Sequence, residues 1–142
     1  MSFNLNLLEE LMEFINSLKS NINILIQEYI HERAGEDLRV IVIGGKVMGA
    51  MLRKSTDGSF KANITRGGTG KNFEMNEEIY YLATETAKAL NLDIAGVDLL
   101  FHSDGYKICE ANSAPGFEGF EKYCKVNLAK EIVQYCAFRA GN

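Results

Sequence analysis

A chain of 142 residues with 15 basic and 19 acidic side chains is the size of one compact domain, and its mild acidity without a block of like charge argues against nucleic-acid binding. No apolar run approaches the ~20 residues that span a bilayer, and Met1-Ser2-Phe3-Asn4 lacks the basic-then-apolar pattern of an export signal, so a soluble, cytoplasmic protein is expected. Cys109, Cys124 and Cys136 are odd in number and lack metal-ligand spacing, which points to free thiols rather than a disulfide framework or a zinc site.

Leu7, Leu8, Leu11, Met12, Ile15 and Leu18 recur at three- and four-residue steps, predicting a helix over about 5–19 with an apolar stripe for the core. Asn23 to Ile30 is short and rich in β-branched residues and reads as a strand. His31 to Glu36 is a polar loop. Leu38–Ile43 and Lys46–Arg53 flank Gly44-Gly45, whose glycines supply the positive φ angles of a hairpin turn; Asp57-Gly58 makes a second turn. Ile64 to Phe73 contains Gly67, Gly68 and Gly70 with almost no apolar side chains and is expected to be a mobile loop. Asn76 begins a helix to about Asn91, with Glu78 in its first turn and Ile79, Leu82, Ala83, Thr86 and Leu90 along one side. Ile94–Phe101 and Tyr106–Ala111 form the last hairpin. Pro115-Gly116 then breaks the chain before helical stretches at Phe117–Cys124 and Leu128–Phe138. The order predicts an α+β fold, a mainly antiparallel sheet with helices packed on one face. It forms a single compact domain in which a helix at 1–20 precedes a body at 21–142.

The last hairpin carries the most chemistry. Ser103-Asp104-Gly105 reads as a three-residue loop with glycine at the left-handed position. If His102 pairs with Tyr106, Asp98 lies opposite Glu110 on the same face, with Cβ atoms about 5 Å apart. Asn112 shares their parity. Two carboxylates so placed repel unless a divalent cation lies between them, and oxygen donors from Asp, Glu and Asn suit Mg²⁺ or Mn²⁺ rather than zinc. On position alone, solvated carboxylates on an exposed face, or one protonated by its neighbour, are the alternatives. Val97, Leu99 and Phe101 on the opposite face, with Ile94 and Leu100 beside Asp98, make this a poor place for unpaired charge.

Arg66-Gly67-Gly68-Thr69-Gly70-Lys71 combines cations with glycines whose N–H groups can converge on an anion. It is not a P-loop, because Thr65 and Asn72 occupy positions that the pattern reserves for Gly and Ser/Thr; the plain alternative is a solvated loop. Arg53, ending an otherwise apolar strand, is a second candidate for gripping a phosphate or carboxylate. His31 and His102 are read as surface residues.

Gln27-Glu28-Tyr29-Ile30, Gly35-Glu36-Asp37-Leu38-Arg39, Asn63 before Arg66-Gly67-Gly68, Ala95-Gly96-Val97-Asp98 and Glu110-Ala111-Asn112-Ser113-Ala114-Pro115-Gly116 occur in this order. Together they resemble the ATP-grasp superfamily, and within it the RimK-type ribosomal-protein glutamate ligases, over about residues 21–138. The resemblance implies that Glu28 and Tyr29 line the adenine, that Asp37 lies near the ribose, and that Lys61, Ala62 and Asn63 also touch nucleotide. It implies Asp98, Glu110 and Asn112 as ligands of Mg²⁺ or Mn²⁺, in agreement with the hairpin reading. Arg53 and Arg66 match catalytic arginines near the phosphates and the acyl group.

The implied activity is ATP-dependent ligation of a carboxylate to an amine, such as a protein C-terminus and glutamate, through an acyl phosphate. The family's front half, with its N-terminal domain, two phosphate-binding lysines and a glycine-rich lid, has no match before residue 21, so three readings stay open: a fragment of a longer protein that supplies the N-terminal ATP-grasp half, a split protein that needs that half as partner, or a degenerate remnant. A non-catalytic nucleotide-binding module and a purely structural interaction domain are the rival readings. Asp98→Asn is expected to abolish metal-dependent nucleotide binding with the fold intact.

Overall fold

The computed structural model describes residues 5–17, 27–56 and 68–141, with side chains from residue 9 onward. The described residues form α1 (Leu5–Ser17), β1 (Glu36–Ile43), β2 (Lys46–Lys54), β3 (Thr69–Phe73), α2 (Glu77–Ala89), β4 (Ile94–His102), β5 (Gly105–Asn112), α3 (Glu118–Cys124) and α4 (Leu128–Ala140). The strands make one sheet in the order β3-β2-β1-β4-β5, and every neighbouring pair is antiparallel. The fold is therefore α+β with an antiparallel sheet, as the element order predicts.

Strand β1 sits at the centre and is apolar at both parities, which requires cover on both faces. Leu38, Val40 and Val42 pack with Ala95, Val97 and Leu99 of β4 under Ile79, Ala83 and Ala87 of α2. Ile41, Ile43 and Met51 point the other way and meet Phe120 of α3 and Leu128 of α4. The helices thus lie on both faces, not on one. The apolar cluster under α3 and α4 takes up only part of the second face; beyond Ile41 and Met51 the same parity carries Arg39, Asp37 and Arg53. Those positions hold the site described below.

Local signals account for most of the elements. Gly44 and Gly45 have φ of 57° and 77°, the left-handed values of a tight hairpin turn. Asn76 caps α2, its Oδ1 accepting from Ile79 N at 2.9 Å, and Glu77 and Glu78 lie in the first turn, where the helix dipole favours anions. A Cβ on Gly96 would stand 2.7 Å from Pro115 Cβ, so this glycine lets the segment after β5 close down on β4.

Four further expectations differ from what is observed. Residues 69–73 form an edge strand paired to β2 instead of a loop, because backbone bonding needs no apolar side chains. Of the strand expected from Asn23 to Ile30, residues 27–30 are not a strand, and residues 23–26 lie outside the described residues, as do Asp57-Gly58 and residues 64–67. The apolar stripe of α1 is not core where it is described: Leu11 and Met12 are exposed and join neither cluster. Periodicity fixes a helix but not what covers it. Finally, the last hairpin turns through two residues, Ser103 and Asp104, with His102 paired to Gly105. The register then shifts between Asp98 and Leu99, which leaves Cys109 as an extra residue in β5, a bulge.

No disulfide joins the three cysteines. No helix among the described residues is long and apolar enough to cross a membrane.

Candidate functional site

Register brings the charged residues of the second face together. Asp37 pairs with Arg53 across β1 and β2, Arg39 pairs with Asp98 across β1 and β4, and Asp98 pairs with Glu110 across β4 and β5. Directly opposed residues of antiparallel strands project from one face, so all five side chains converge. The expected facing of Asp98 and Glu110 is present. Its route differs from the sequence reading: the two-residue turn and the bulge at Cys109 together restore the phase that a three-residue loop would have given.

The network is tight and largely dry. Arg39 Nε donates to Asp98 Oδ1 at 2.8 Å and its Nη2 to Oδ2 at 2.7 Å. Arg53 Nε and Nη2 donate to the two oxygens of Asp37 at 2.6 and 2.8 Å, and Arg53 Nη2 also reaches Asp98 Oδ2 at 2.7 Å. Asp98 is 3 % exposed and Arg53 9 %, where side-on arginine–carboxylate pairs are strongest. Glu110 is different: its side chain is 62 % exposed, with Oε1 3.8 Å from Arg39 Nη2.

The partners titrate unequally. Burial pushes the Asp37 carboxyl above its ordinary range, outweighing its bonds from Arg53, and the nearby Asp98 charge adds to the rise. Burial alone would lower Arg53, but the hydrogen bonds and charges of Asp37 and Asp98 win and raise it. The guanidinium faces two carboxylates, whereas Asp37 has one close cation and a like charge nearby.

These residues floor a groove of about 470 Å³. Its lining includes Glu28, Tyr29, Asp37, Arg53, Asp98 and Glu110, so six residues expected at nucleotide, metal or phosphate share one cavity. Arg33 helps to fix the wall formed by residues 33–36: it pairs with Glu36, and its guanidinium lies 3.7 Å from the Phe101 ring centroid. Glu36 also pairs with Lys54 at 3.0 Å. Asn112 stands opposite Gly96 at the matching parity but is not among the lining, and its Oδ1 accepts from Ala114 N at 2.9 Å. Lys61, Ala62, Asn63 and Arg66 lie outside the described residues. His31 and His102 do not line the groove.

Arg39 was not singled out from the sequence. The available signal was its parity: an arginine two residues after Asp37 in a strand of valines and isoleucines shares that residue's face.

The donor set suits a hard divalent cation. Asp98, Glu110 and Asn112 offer oxygen alone, on one face of adjacent strands, and Glu110 is open to the groove. No trio of His, Cys, Asp and Glu among the described residues forms a metal cluster by itself, so Asn112, water or a ligand's own oxygens would complete the coordination.

The sheet and its flanking helices recur in ATP-grasp ligases of known structure. The ATP-grasp ligase PsnB, in a structure with Mg, ADP and a phosphomimetic variant of its minimal precursor, matches with a TM-score of 0.63 and 23% identity, over 80% of this chain and 34% of that one. The macrocyclase MdnB from Microcystis aeruginosa MRC matches with a TM-score of 0.59 and 14% identity, over 95% of this chain and 46% of its own. At such identities the likeness shows the fold, which is that of part of an ATP-grasp ligase.

Sequence comparison narrows the class. The RimK-like ATP-grasp domain matches residues 4–136, so the likeness begins earlier than the motifs alone suggest and includes α1. A probable alpha-L-glutamate ligase of Legionella pneumophila (strain Corby) is 40% identical over 130 residues, 91% of this chain and 43% of the relative. The beta-citrylglutamate synthase B of Homo sapiens is 43% identical over 114 residues, 80% of this chain and 30% of the relative. The chain belongs to the RimK-like ATP-grasp family, a family of ligases, and spans less than half the length of these curated relatives.

Proposed function

We propose that this chain is the nucleotide- and cation-holding part of an ATP-dependent carboxylate–amine ligase. The observation that carries this reading is the shared groove, where Glu28 and Tyr29 stand over the same cavity as Asp37, Arg53, Asp98 and Glu110. Both relatives carry glutamate in their names, which favours glutamate as one substrate, with a second molecule such as a protein C-terminus as the other.

Amide formation needs a carboxylate oxygen to become a leaving group. Transfer of the terminal phosphoryl of ATP to the carboxylate gives an acyl phosphate and ADP; attack of the amine then forms the C–N bond and expels phosphate. A divalent cation held by Asp98, Glu110 and Asn112 would neutralise charge on the polyphosphate. The chain's own residues do the rest of the positioning. Glu28 and Tyr29 orient the nucleoside end, together with Asp37 and with Lys61, Ala62 and Asn63. Arg53, fixed by Asp37, and Arg66 stabilise negative charge on the group in transfer.

Calorimetric titration of ATP into the chain, with Mg²⁺ and then with EDTA, tests this reading. Binding should require the cation, and Glu110→Gln should weaken it about tenfold or more by removing an exposed anionic ligand. Equal affinity with and without Mg²⁺, or in the two proteins, would count against the assignment. Release of ADP that needs both a carboxylate and an amine distinguishes a ligase from a module that only binds.

A further inference from the structure

Asp98, offered above as a cation ligand, already has committed partners. Arg39 occupies both of its oxygens, and Arg53 adds a further bond to Oδ2. A carboxylate has about four lone-pair positions, so Oδ2 is full and Oδ1 keeps a single one. The two arginines are not equally bound to this duty. Arg53 is held on its other side by Asp37. Among the described residues, the other carboxylate within ion-pair distance of Arg39 is the exposed Glu110, at 3.8 Å, while Asp37 acts on it at longer range. Arg39 is therefore the partner that can be drawn away while Arg53 stays.

The charge balance supports the same exchange. Two guanidinium groups meet three carboxylates, a net negative cluster that attracts a cation. Arrival of a divalent ion reverses the sign and favours a polyanion. A polyphosphate offers Arg39 acceptors as good as those it leaves, which returns oxygen lone pairs of Asp98 to the ion.

We propose that Arg39 is a positioning residue that guards Asp98: by covering both carboxylate oxygens it weakens the cation site until a polyphosphate draws the guanidinium off, so that cation and polyphosphate bind cooperatively through one arginine. This rests on the reading that Asp98 and Glu110 hold a divalent ion.

The experiment titrates Mn²⁺, without nucleotide, into the wild-type chain, Arg39→Lys and Glu110→Gln, following loss of the free-ion paramagnetic resonance signal. Lysine keeps the charge but cannot cover two oxygens side-on, so Arg39→Lys should bind Mn²⁺ about tenfold more tightly, the worth of one charge-assisted bond. Inorganic tripolyphosphate should raise Mn²⁺ affinity more in wild type than in Arg39→Lys. Charge repulsion alone predicts no change in Arg39→Lys, and damaged packing predicts weaker binding. Either result, with Glu110→Gln still impairing Mn²⁺ binding, overturns the guard and leaves the cation site standing. Absence of Mn²⁺ binding in all three proteins overturns both. Should a thermal melt show Arg39→Lys unfolded, Arg39→Gln replaces it, and Mn²⁺ binding no tighter than wild type sinks the proposal.

Discussion

The second face of the sheet is divided between two chemistries that meet on the same strands. On one half, Ile41, Ile43 and Met51 are sealed by Phe120 and Leu128, and stability comes from apolar area that is indifferent to direction. On the other half, Asp37, Arg39, Arg53 and Asp98 are almost as dry, yet each depends on a particular partner at hydrogen-bond distance. The apolar half tolerates change of shape better than loss of volume, whereas the charged half tolerates neither loss of a partner nor misalignment.

The largest expected effect lies in the sealed half. Phe120 is fully buried, and Phe120→Ala should cost about 3–5 kcal/mol, read as a large fall in the chemical-denaturation midpoint. A loss below about 1 kcal/mol would mean that α3 adds little to the core. Next comes Asp98→Asn, which leaves Arg39 with a neutral partner in a site that is nearly dry. It should cost about 3 kcal/mol of stability as well as impairing cation binding, so the expectation that the fold is unaffected does not survive the geometry. An unchanged denaturation midpoint would show that Asp98 is dispensable to the network.

The smallest effect is on pH dependence. Because the native carboxyl of Asp37 is raised by burial, the folded chain holds that proton more tightly than the unfolded chain does. The shift adds stability that is complete below the unfolded pKa and is lost as pH rises through the raised native value. Asp37→Asn removes this dependence. In paired melts, wild type should therefore gain stability relative to the variant as pH falls through the carboxylate range; the opposite trend would mean that pairing with Arg53 outweighs burial.

What could be read from the sequence follows the same division. The Gly44-Gly45 hairpin, helix α2 and its Asn76 cap are local features written in consecutive residues, and the observed elements match them to within a few positions. The facing of Asp98 and Glu110 is reached from the sequence through a three-residue loop that is absent: the two-residue turn would misalign the pair by one residue, and the bulge at Cys109, which no local pattern announces, returns it. Arg39 was not legible, because the pairing of β1 with β4 joins residues 59 apart, and no local pattern states which strands become neighbours. Strand β3 escaped for another reason: Thr69, Lys71 and Asn72 carry no apolar alternation, and the strand is held to β2 through its backbone. The small Gly70 lies against the Tyr123 ring, a fit visible only once α3 is in place.

The bulge at Cys109 separates two jobs that a regular hairpin would tie together. With the odd residue absorbed inside β5, the tip at Ser103-Asp104 and the acidic pair at the base keep independent phases. A one-residue change at the tip can be taken up by losing or moving the bulge, so this end of the hairpin is free to diverge in shape while the base keeps its acids aimed into the groove.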